Sequence, residues 1–332
     1  MKPITRSIQR GLTLIELLVG LTIGLVISLA VTVAYLGARG TTTSTENLSQ
    51  LNETAKFAMD YIGREIQMAG HYPVAWATRL DASGKPIKTR GAYFNIIAPT
   101  SVGYNSGLFG CEGAKFNRAT GDCDASVVGA PDSLVSNYFS VDNFGAGSIQ
   151  GHATDCNRAR LALPAYNATR AVVAPIALPL AASNSIGLNP TTYLAQEGAI
   201  STRSVSCSGN GGATVNNSYE PVFQGVEDLV ILYGMMTVGG TQRASVARYL
   251  TANEIKALPP LSVGSHWNNI SAVRVCIVVR TLSRTVRVAS NAGTQSFENC
   301  RSGTTNYNTA DGTIARRFVQ LFSVRNNITG LT

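Results

Sequence analysis

The stretch RGLTLIELLVGLTIGLVISLAV, residues 10–31, contains one acidic residue, Glu16, close to the start of a long apolar run. From Leu17 to Ala38 there are 22 residues without a charge. As a helix they extend about 33 Å at about 1.5 Å per residue, which matches a hydrocarbon core of about 30 Å. The run therefore predicts a membrane-spanning helix. A carboxylate beside such a run is costly, so Glu16 requires a partner or a function.

The charges and cysteines on either side of the run orient the chain. Lys2, Arg6 and Arg10 precede it, which places the first residues in the cytoplasm by the positive-inside rule. These three cations also account for part of the net charge of +8. Because Arg316 and Arg317 form the one basic cluster that follows, the charge pattern leaves nucleic-acid binding open rather than predicting it.

All of the cysteines follow the apolar run, on the side predicted to be outside the cytoplasm. The six are Cys111, Cys123, Cys156, Cys207, Cys276 and Cys300. An even number in an oxidising compartment predicts three disulfides, and pairing of sequence neighbours is the favoured choice among 15 connectivities. Metal ligation is the alternative, but no two cysteines lie two to four residues apart. The sequence therefore predicts no metal site.

A cleaved signal peptide is the alternative interpretation of the apolar run. Its apolar region should be about 7 to 15 residues long and end at a small-x-small site. The run here is longer, and Thr32-Val33-Ala34 fits such a site poorly. We therefore favour a retained helix.

A cut just before Leu12 would provide a partner for Glu16. The new α-amine is cationic at neutral pH and lies four residues upstream of Glu16, about one helical turn away. It can pair with Glu16 of its own subunit or with Glu16 of a neighbour in a helical array. The sequence leaves both pairings open.

Gly11 followed by Leu12-Thr13-Leu14-Ile15-Glu16-Leu17-Leu18 resembles the class III leader and N-terminal segment of type IV pilins and pseudopilins. The resemblance implies that a prepilin peptidase cuts between Gly11 and Leu12, that Leu12 is N-methylated, and that Glu16 guides assembly. In that family the first mature residue is usually Phe, so Leu12 is a departure.

A second helical pattern follows the apolar run. Its apolar residues recur at intervals of three and four and are Leu48, Leu51, Ala55, Ala58, Ile62, Ile66 and Ala69. Gly70 and Pro73 mark its end, so residues 12–69 read as one helix. Gly20 and Gly24 within this helix have two equally favoured interpretations: they allow close packing against another helix, or they make the helix easy to melt locally.

The remaining sequence predicts β structure. Residues 71–220 are rich in Gly, Ser and Asn and indicate an irregular, disulfide-stapled β region. PVFQGVEDLVILYGMM, ISAVRVCIVVRT and ARRFVQLFSVRN read as strands of an antiparallel sheet. We expect an α+β, pilin-like fold, with a long N-terminal helix packed on an antiparallel β-sheet head. Its predicted parts are a leader (1–11), the membrane and assembly half of the helix (12–38), its amphipathic half (39–70), a variable β region (71–220) and a C-terminal sheet (221–332).

Several segments narrow the resemblance. MDYIGREIQMAGHYP, GVEDLVILYG, the approach to VRVCIVVRT that contains Trp267, and RRFVQLFSVRN together are similar to the PilW group of minor pilins. The similarity covers roughly residues 1–72 and 221–332. It implies a minor pilin of the inner membrane, with its bulk in the periplasm, that later reaches the pilus and the cell surface. There it would prime or cap a type IV pilus, which serves adhesion and twitching motility.

The partners that the resemblance implies are the prepilin peptidase, other minor pilins, the major pilin, the inner-membrane assembly platform and a tip adhesin. A minor pseudopilin of a type II secretion system is the nearest alternative, since it shares this N-terminus. An envelope enzyme or ligand-binding protein that is merely anchored by the helix is the alternative from another class.

No sequence motif predicts catalysis or a cofactor. The chain has no phosphate loop, no GxSxG elbow and no HExxH pair. GDCDAS and DNFGAGS hold clustered oxygen ligands but do not fit an EF-hand loop, and we interpret them as solvated turns. His152 and Asp155 are likewise interpreted as loop residues, so the chain is predicted not to be an enzyme.

Overall fold

The computed structural model describes most of the helix and the framework of the head. The described residues are 13–71, 107–118, 120–139, 155–159, 181–195, 198–210, 219–236, 246–261, 265–283, 294–301, 304–308 and 313–326.

One long helix, α1, spans Leu14–Met68 and contains 55 residues, which gives it a length of about 80 Å. The single continuous helix predicted from the sequence is therefore confirmed. Its buried side chains all lie in the second half, between Asn47 and Ile66. The helix ends where predicted. Gly70 directly follows the C-cap, and its N–H donates to the Asn137 carbonyl at 2.8 Å.

The head consists of strands with one short helix, α2, and a 3₁₀ turn at His266–Asn269. In chain order the strands and α2 are β1 (Leu108–Cys111), β2 (Phe116–Asn117), β3 (Asp122–Cys123), β4 (Ser133–Phe139), β5 (Ala181–Ala195), β6 (Gly198–Ser208), β7 (Glu220–Gln224), β8 (Val226–Met236), β9 (Val246–Leu250), α2 (Ala252–Lys256), β10 (Ile270–Arg280), β11 (Thr294–Glu298), β12 (Thr304–Asn308) and β13 (Ala315–Ser323).

These strands form two main antiparallel sheets. The five-stranded sheet has the order β1-β4-β5-β6-β7, and the four-stranded sheet has the order β13-β10-β8-β9. Two small hairpins, β2-β3 and β11-β12, complete the described strands. The α+β class and the long helix on antiparallel sheets are confirmed.

The middle of the chain is more regular than its composition indicated. It supplies a long hairpin, β5-β6, paired without interruption from Ser185↔Ser208 to Ala195↔Gly198. The strands were hard to recognise because Ser183, Asn184 and Ser206 are fully buried where apolar residues are usual. The expected disulfide-stapled region is therefore built around a sheet.

One predicted strand is divided in two. PVFQGVEDLVILYGMM contributes β7 to the five-stranded sheet and β8 to the four-stranded sheet. The break lies at Gly225, whose φ of +83° is unfavourable for any residue with a Cβ. Its N–H donates to the Arg203 carbonyl at 3.0 Å, and its own carbonyl accepts from the Arg280 N–H at 2.7 Å. The chain thereby passes from one sheet to the other at a single residue. The boundary predicted between residues 220 and 221 falls inside β7, so the division into parts stays a prediction.

Three disulfides connect the elements of the head. They are Cys111–Cys123, Cys156–Cys207 and Cys276–Cys300, with Cα–Cα distances of 5.6, 6.2 and 5.6 Å. These are the pairs of sequence neighbours that the sequence analysis favoured. They tie β1 to β3, the segment 155–159 to β6, and β10 to the end of the β11 segment.

One apolar core joins the helix to both sheets. The C-terminal part of α1 contacts β10 and β13 on one side and β4 and β7 on the other, and its Leu51, Ile62 and Ile66 belong to the same buried cluster as the strand residues. Asp132, just before β4, links the sheets because it accepts from the Gly113 N–H at 2.9 Å and from the Ile231 N–H at 2.8 Å. Burial raises the pKa of Asp132 to about 6.

The closest approach of helix to sheet leads to a prediction about Gly63. A Cβ added there would lie 2.3 Å from Cε1 of Phe322, a buried side chain near the end of β13. We expect Gly63→Ala to destabilise the head by about 1 to 3 kcal/mol, since the ring and helix must separate. Thermal unfolding of the purified full chain measures this effect.

Gly40→Ala is the matched control, because a Cβ at this helical position meets no atom within 4 Å. Alanine is the better helix former by up to about 1 kcal/mol, so the control should leave the unfolding temperature unchanged or raise it. A Gly63→Ala protein as stable as the Gly40→Ala protein would contradict the predicted packing.

Candidate functional site

The N-terminal half of α1 is apolar and uncovered. Among the described residues, α1 is the one helix long and apolar enough to cross a membrane, and none of its most apolar window is buried within the chain. Leu14, Leu21 and Val33 are all more than 60% exposed. Such a surface requires a lipid or protein environment, because water disfavours contiguous exposed apolar area.

Glu16 closes the start of this helix. Thr13 is the N-cap, and its N–H and its hydroxyl donate to Oε2 of Glu16 at 3.1 and 3.0 Å. In return, the Glu16 N–H donates to Oγ1 of Thr13 at 3.4 Å. This reciprocal capping box satisfies donors that a helix N-terminus leaves unpaired. The carboxylate at the edge of the apolar run therefore has a local partner within a single chain.

The predicted cleavage site precedes the described residues. Gly11 and Leu12 lie outside them, so processing at this bond stays a prediction. The helix beyond is open at both Gly20 and Gly24, where an added Cβ would meet nothing within 4 Å. Both interpretations of this glycine pair stay open.

A second carboxylate on the same helix is buried in the head. Glu65 Oε2 accepts from Ser136 Oγ on β4 at 2.7 Å and from Asn184 Nδ2 on β5 at 2.9 Å. Asn184 also donates to the Tyr138 hydroxyl at 3.0 Å, and its Oδ1 accepts from the Cys156 N–H at 3.1 Å. This Glu65 network ties the end of α1 to the five-stranded sheet and to the Cys156–Cys207 disulfide.

Burial determines the electrostatics of the Glu65 network. Burial raises the pKa of Glu65, the bonds from Asn184 and Ser136 oppose the rise, and the nearby charge of Asp155 adds to it. Burial also raises the pKa of Tyr61 and of Tyr138, and the charge of Glu65 contributes in both cases. The carboxyl at the junction between helix and head therefore takes up a proton more readily than an exposed glutamate does.

Sequence reasoning found Glu16 but missed both Thr13 and Glu65. The spacing T-x-x-E at residues 13–16 is the signature of a capping box and could have identified Thr13. Glu65 carried no comparable signal, because it looks like any polar residue at the edge of an amphipathic stripe. Its burial depends on Asn184, which is 119 residues away.

The candidate chemical motifs do not assemble into a reaction centre within the described residues. Asp122 of GDCDAS pairs with Lys256 Nζ at 3.2 Å, and Asp124 accepts from Asn117 Nδ2 at 3.0 Å. DNFGAGS and His152 lie outside the described residues, whereas Asp155 binds its own loop through the Asn157 and Ala159 N–H groups. No group of three or more His, Cys, Asp or Glu side chains in the described part of the chain could hold a metal ion.

Comparison with known families identifies both ends of the chain. Residues 6–32 match the prokaryotic N-terminal methylation motif, and residues 192–326 match the family model "Type IV Pilus-assembly protein W", PilW. The chain therefore has an N-terminal methylation motif and, over residues 192–326, a region similar to PilW. No curated protein matches it.

Among solved structures, the chain is similar to a type IV-like pilin, TTHA1219, from Thermus thermophilus. The two are 11% identical, the match covers 83% of this chain and 98% of that chain, and the TM-score is 0.33. The PilW region itself includes the end of β5 and all later strands through β13. The methylation motif includes the predicted cut and Glu16, so the resemblance inferred from the sequence is confirmed.

The Glu65 network predicts a pH-dependent effect of Glu65→Gln. Glutamine keeps an oxygen that accepts from Ser136 and Asn184 but cannot ionise. Because the folded-state pKa of Glu65 lies above its ordinary value of 4.5, the folded state holds the proton more tightly than the unfolded chain. Its contribution to stability is therefore full below pH 4.5 and decreases as the pH rises through the folded-state pKa.

We expect the variant to gain stability relative to the natural chain as the pH rises from 4 to 7, because only the natural chain loses a contribution to stability as Glu65 ionises. Thermal unfolding at pH 4, 5.5 and 7 measures the difference, and Glu53→Gln, an exposed position on α1, is the control. A stability difference that does not change with pH would show that folding does not raise the pKa of Glu65.

Proposed function

We propose that this protein is a minor pilin that enters the inner membrane through α1, is cut and methylated at Leu12, and joins other pilins to prime or cap a type IV pilus. The observation that carries the proposal is an uncovered apolar helix with a carboxylate at its start, within a match to the N-terminal methylation motif. The PilW match supports the pilus over the type II secretion alternative.

The helix supplies the association surface in this proposal. Exposed apolar side chains on all sides of residues 14–36 pack against lipid in the precursor and against other pilin helices after assembly. The head stays in the periplasm, where its three disulfides form. The proposed partners are the prepilin peptidase, other minor pilins, the major pilin, the assembly platform and a tip adhesin, and no chemical turnover is needed.

Glu16 has two successive partners in this proposal. In the precursor it binds Thr13, which lowers the cost of a carboxylate beside the membrane. After the cut, the α-amine of a newly arriving subunit provides a cation, and a charged pair is stronger than a neutral hydrogen bond where water is excluded. The exchange of a hydrogen-bonded partner for a charged one would favour incorporation into the filament.

The processing step predicts a defined N-terminus. Because the peptidase in this proposal cuts after Gly11, protein from cells that contain the enzyme should begin at N-methylated Leu12. Mass spectrometry of the intact protein and of its N-terminal peptide tests this. Protein from a peptidase-deficient strain is the control and should begin at Met1. A terminus near Ala34 in both strains would mean that a signal peptidase acts instead.

The role of Glu16 predicts a difference between insertion and assembly. Glu16→Leu removes a costly charge, so insertion and cleavage should continue, whereas incorporation into filaments should fall because the neighbour's amine loses its counter-charge. Glu16→Asp should be intermediate, since the charge remains but the side chain is one methylene shorter. The measurement compares membrane extracts with sheared pili by quantitative immunoblotting.

Thr13→Val is the matched control. It keeps the Glu16 carboxylate but removes the hydroxyl that binds it, so incorporation should stay near that of the natural chain. Equal losses for Thr13→Val and Glu16→Leu would indicate that the carboxylate only caps the helix. Equal incorporation of all variants would mean that Glu16 has no part in assembly.

A further inference from the structure

The outer edge of β13 has backbone groups that pair with no other strand in the described part of the chain. β13 is the end strand of its sheet and pairs with β10 alone. Val324, directly after β13, donates its N–H to the Ser271 carbonyl at 2.8 Å, on the β10 side. Because successive residues of a strand alternate in direction, the N–H and C=O groups of Val319, Leu321 and Ser323 point away from the sheet.

The C-terminal two thirds of this edge lack the usual protection against strand pairing. Edge strands are commonly short, bulged or guarded by charged residues or proline, whereas β13 has nine residues in unbroken register with β10, and its two charged residues, Arg316 and Arg317, lie in its first third. Two apolar side chains near its centre are exposed, Val319 at 46% and Leu321 at 58%, on either side of Gln320. A long edge with exposed apolar side chains is suited to receive another strand.

A groove runs beside the same edge. Its volume is about 380 Å³, and it lies between β13 and the exposed side of α1. The groove is lined by Asp60, Gly63, Arg64 and Gln67 of the helix and by residues 320–323 of the strand. At its end, Asn326 Nδ2 donates to the Gln67 carbonyl at 3.0 Å and holds the strand end against the helix. The groove can receive the side chains on one face of an added strand.

The charges around the edge indicate the chemistry of its partner. Exposed arginines border it at Arg64 in the groove, at Arg316 and Arg325 near the two ends of β13, and at Arg274, which is paired in register with Leu321. Asp60 is the acidic residue of the groove lining. A second copy of this chain would bring like charges together, whereas carboxylates at the ends of an incoming segment would form charge-assisted bonds with arginine.

We propose that the outer edge of β13 binds an extended segment of a partner protein as an added β-strand, and that this segment has alternating apolar residues flanked by carboxylates. Backbone hydrogen bonds to Val319, Leu321 and Ser323 provide the attachment, and the groove and the arginines select the sequence. The surface is distant in sequence from Glu16, and binding requires neither processing of the leader nor filament assembly. The strand-binding proposal can therefore be tested independently of the proposed function.

The direct test uses the full chain in detergent and a fluorescent peptide of alternating Val and Thr with a Glu at each end. We expect saturable binding by fluorescence anisotropy, weakened by salt, together with slower hydrogen exchange at Val319 and Leu321. The same peptide with alternate amides N-methylated leaves the protein unchanged and should bind at least about tenfold more weakly, since it cannot form the ladder. A peptide with Lys at each end should also bind more weakly.

Leu321→Pro is the protein variant that isolates the edge. Proline lacks the N–H that Leu321 points away from the sheet, so pairing with β10 is retained. Proline is tolerated at such edge positions. It should lose at least about tenfold in peptide affinity, while Leu321→Val keeps the N–H and the affinity. Should Leu321→Pro fail to fold, the N-methylated peptide still decides the question.

Three results would overturn the proposal. They are the absence of saturable binding at low salt, equal binding of the N-methylated and unmodified peptides, and stronger binding of the peptide with Lys ends. Self-association of the natural chain that Leu321→Pro abolishes would assign the edge to a second copy and would overturn the partner assignment.

Discussion

The architecture depends on the constraint that α1 must satisfy two environments with one continuous helix. Its first half exposes apolar side chains on every side, and the buried positions begin only at Asn47. In the described part of the chain, a rod of about 80 Å at 1.5 Å per residue is therefore held by roughly its last two fifths, from Asn47 onward. Because the described attachment of the head to the apolar half of α1 passes through this short contact, the contact must resist both sliding and rotation.

The helix–head contact resists the two motions by different means. Apolar packing around Ile62 and Ile66 supplies most of the free energy but little direction, because hydrophobic burial is non-directional. Direction comes from the Gly63–Phe322 close approach on the four-stranded sheet and from the Glu65 network on the five-stranded sheet. Since these contacts lie on opposite sheets, rotation of α1 about its axis would break one or the other.

Local pattern predicted the elements whose signal is contained in one stretch of sequence. The apolar run, the helical stripe and β8, β10 and β13 were recognisable because apolar spacing alone identifies them. The β5-β6 hairpin was not, since its buried positions include Ser183, Asn184 and Ser206, whose partners lie elsewhere in the fold. The switch between sheets at Gly225 was also missed, because a single glycine in a strand pattern does not reveal which sheet each half joins.

The two carboxylates of α1 show what sequence can and cannot predict about a functional site. Both lie on one helix, yet Glu65 accepts its hydrogen bonds from strands of the head, whereas Glu16, within the described residues, accepts them from Thr13 at the helix start. The difference follows from environment: an apolar surround makes Glu16 conspicuous, and a polar surround hides Glu65. A carboxylate such as Glu65, whose hydrogen-bond donors belong to the head, serves to hold the fold together. Glu16 is held by one neighbouring residue among those described, and in the proposed function it exchanges that partner for one from another chain.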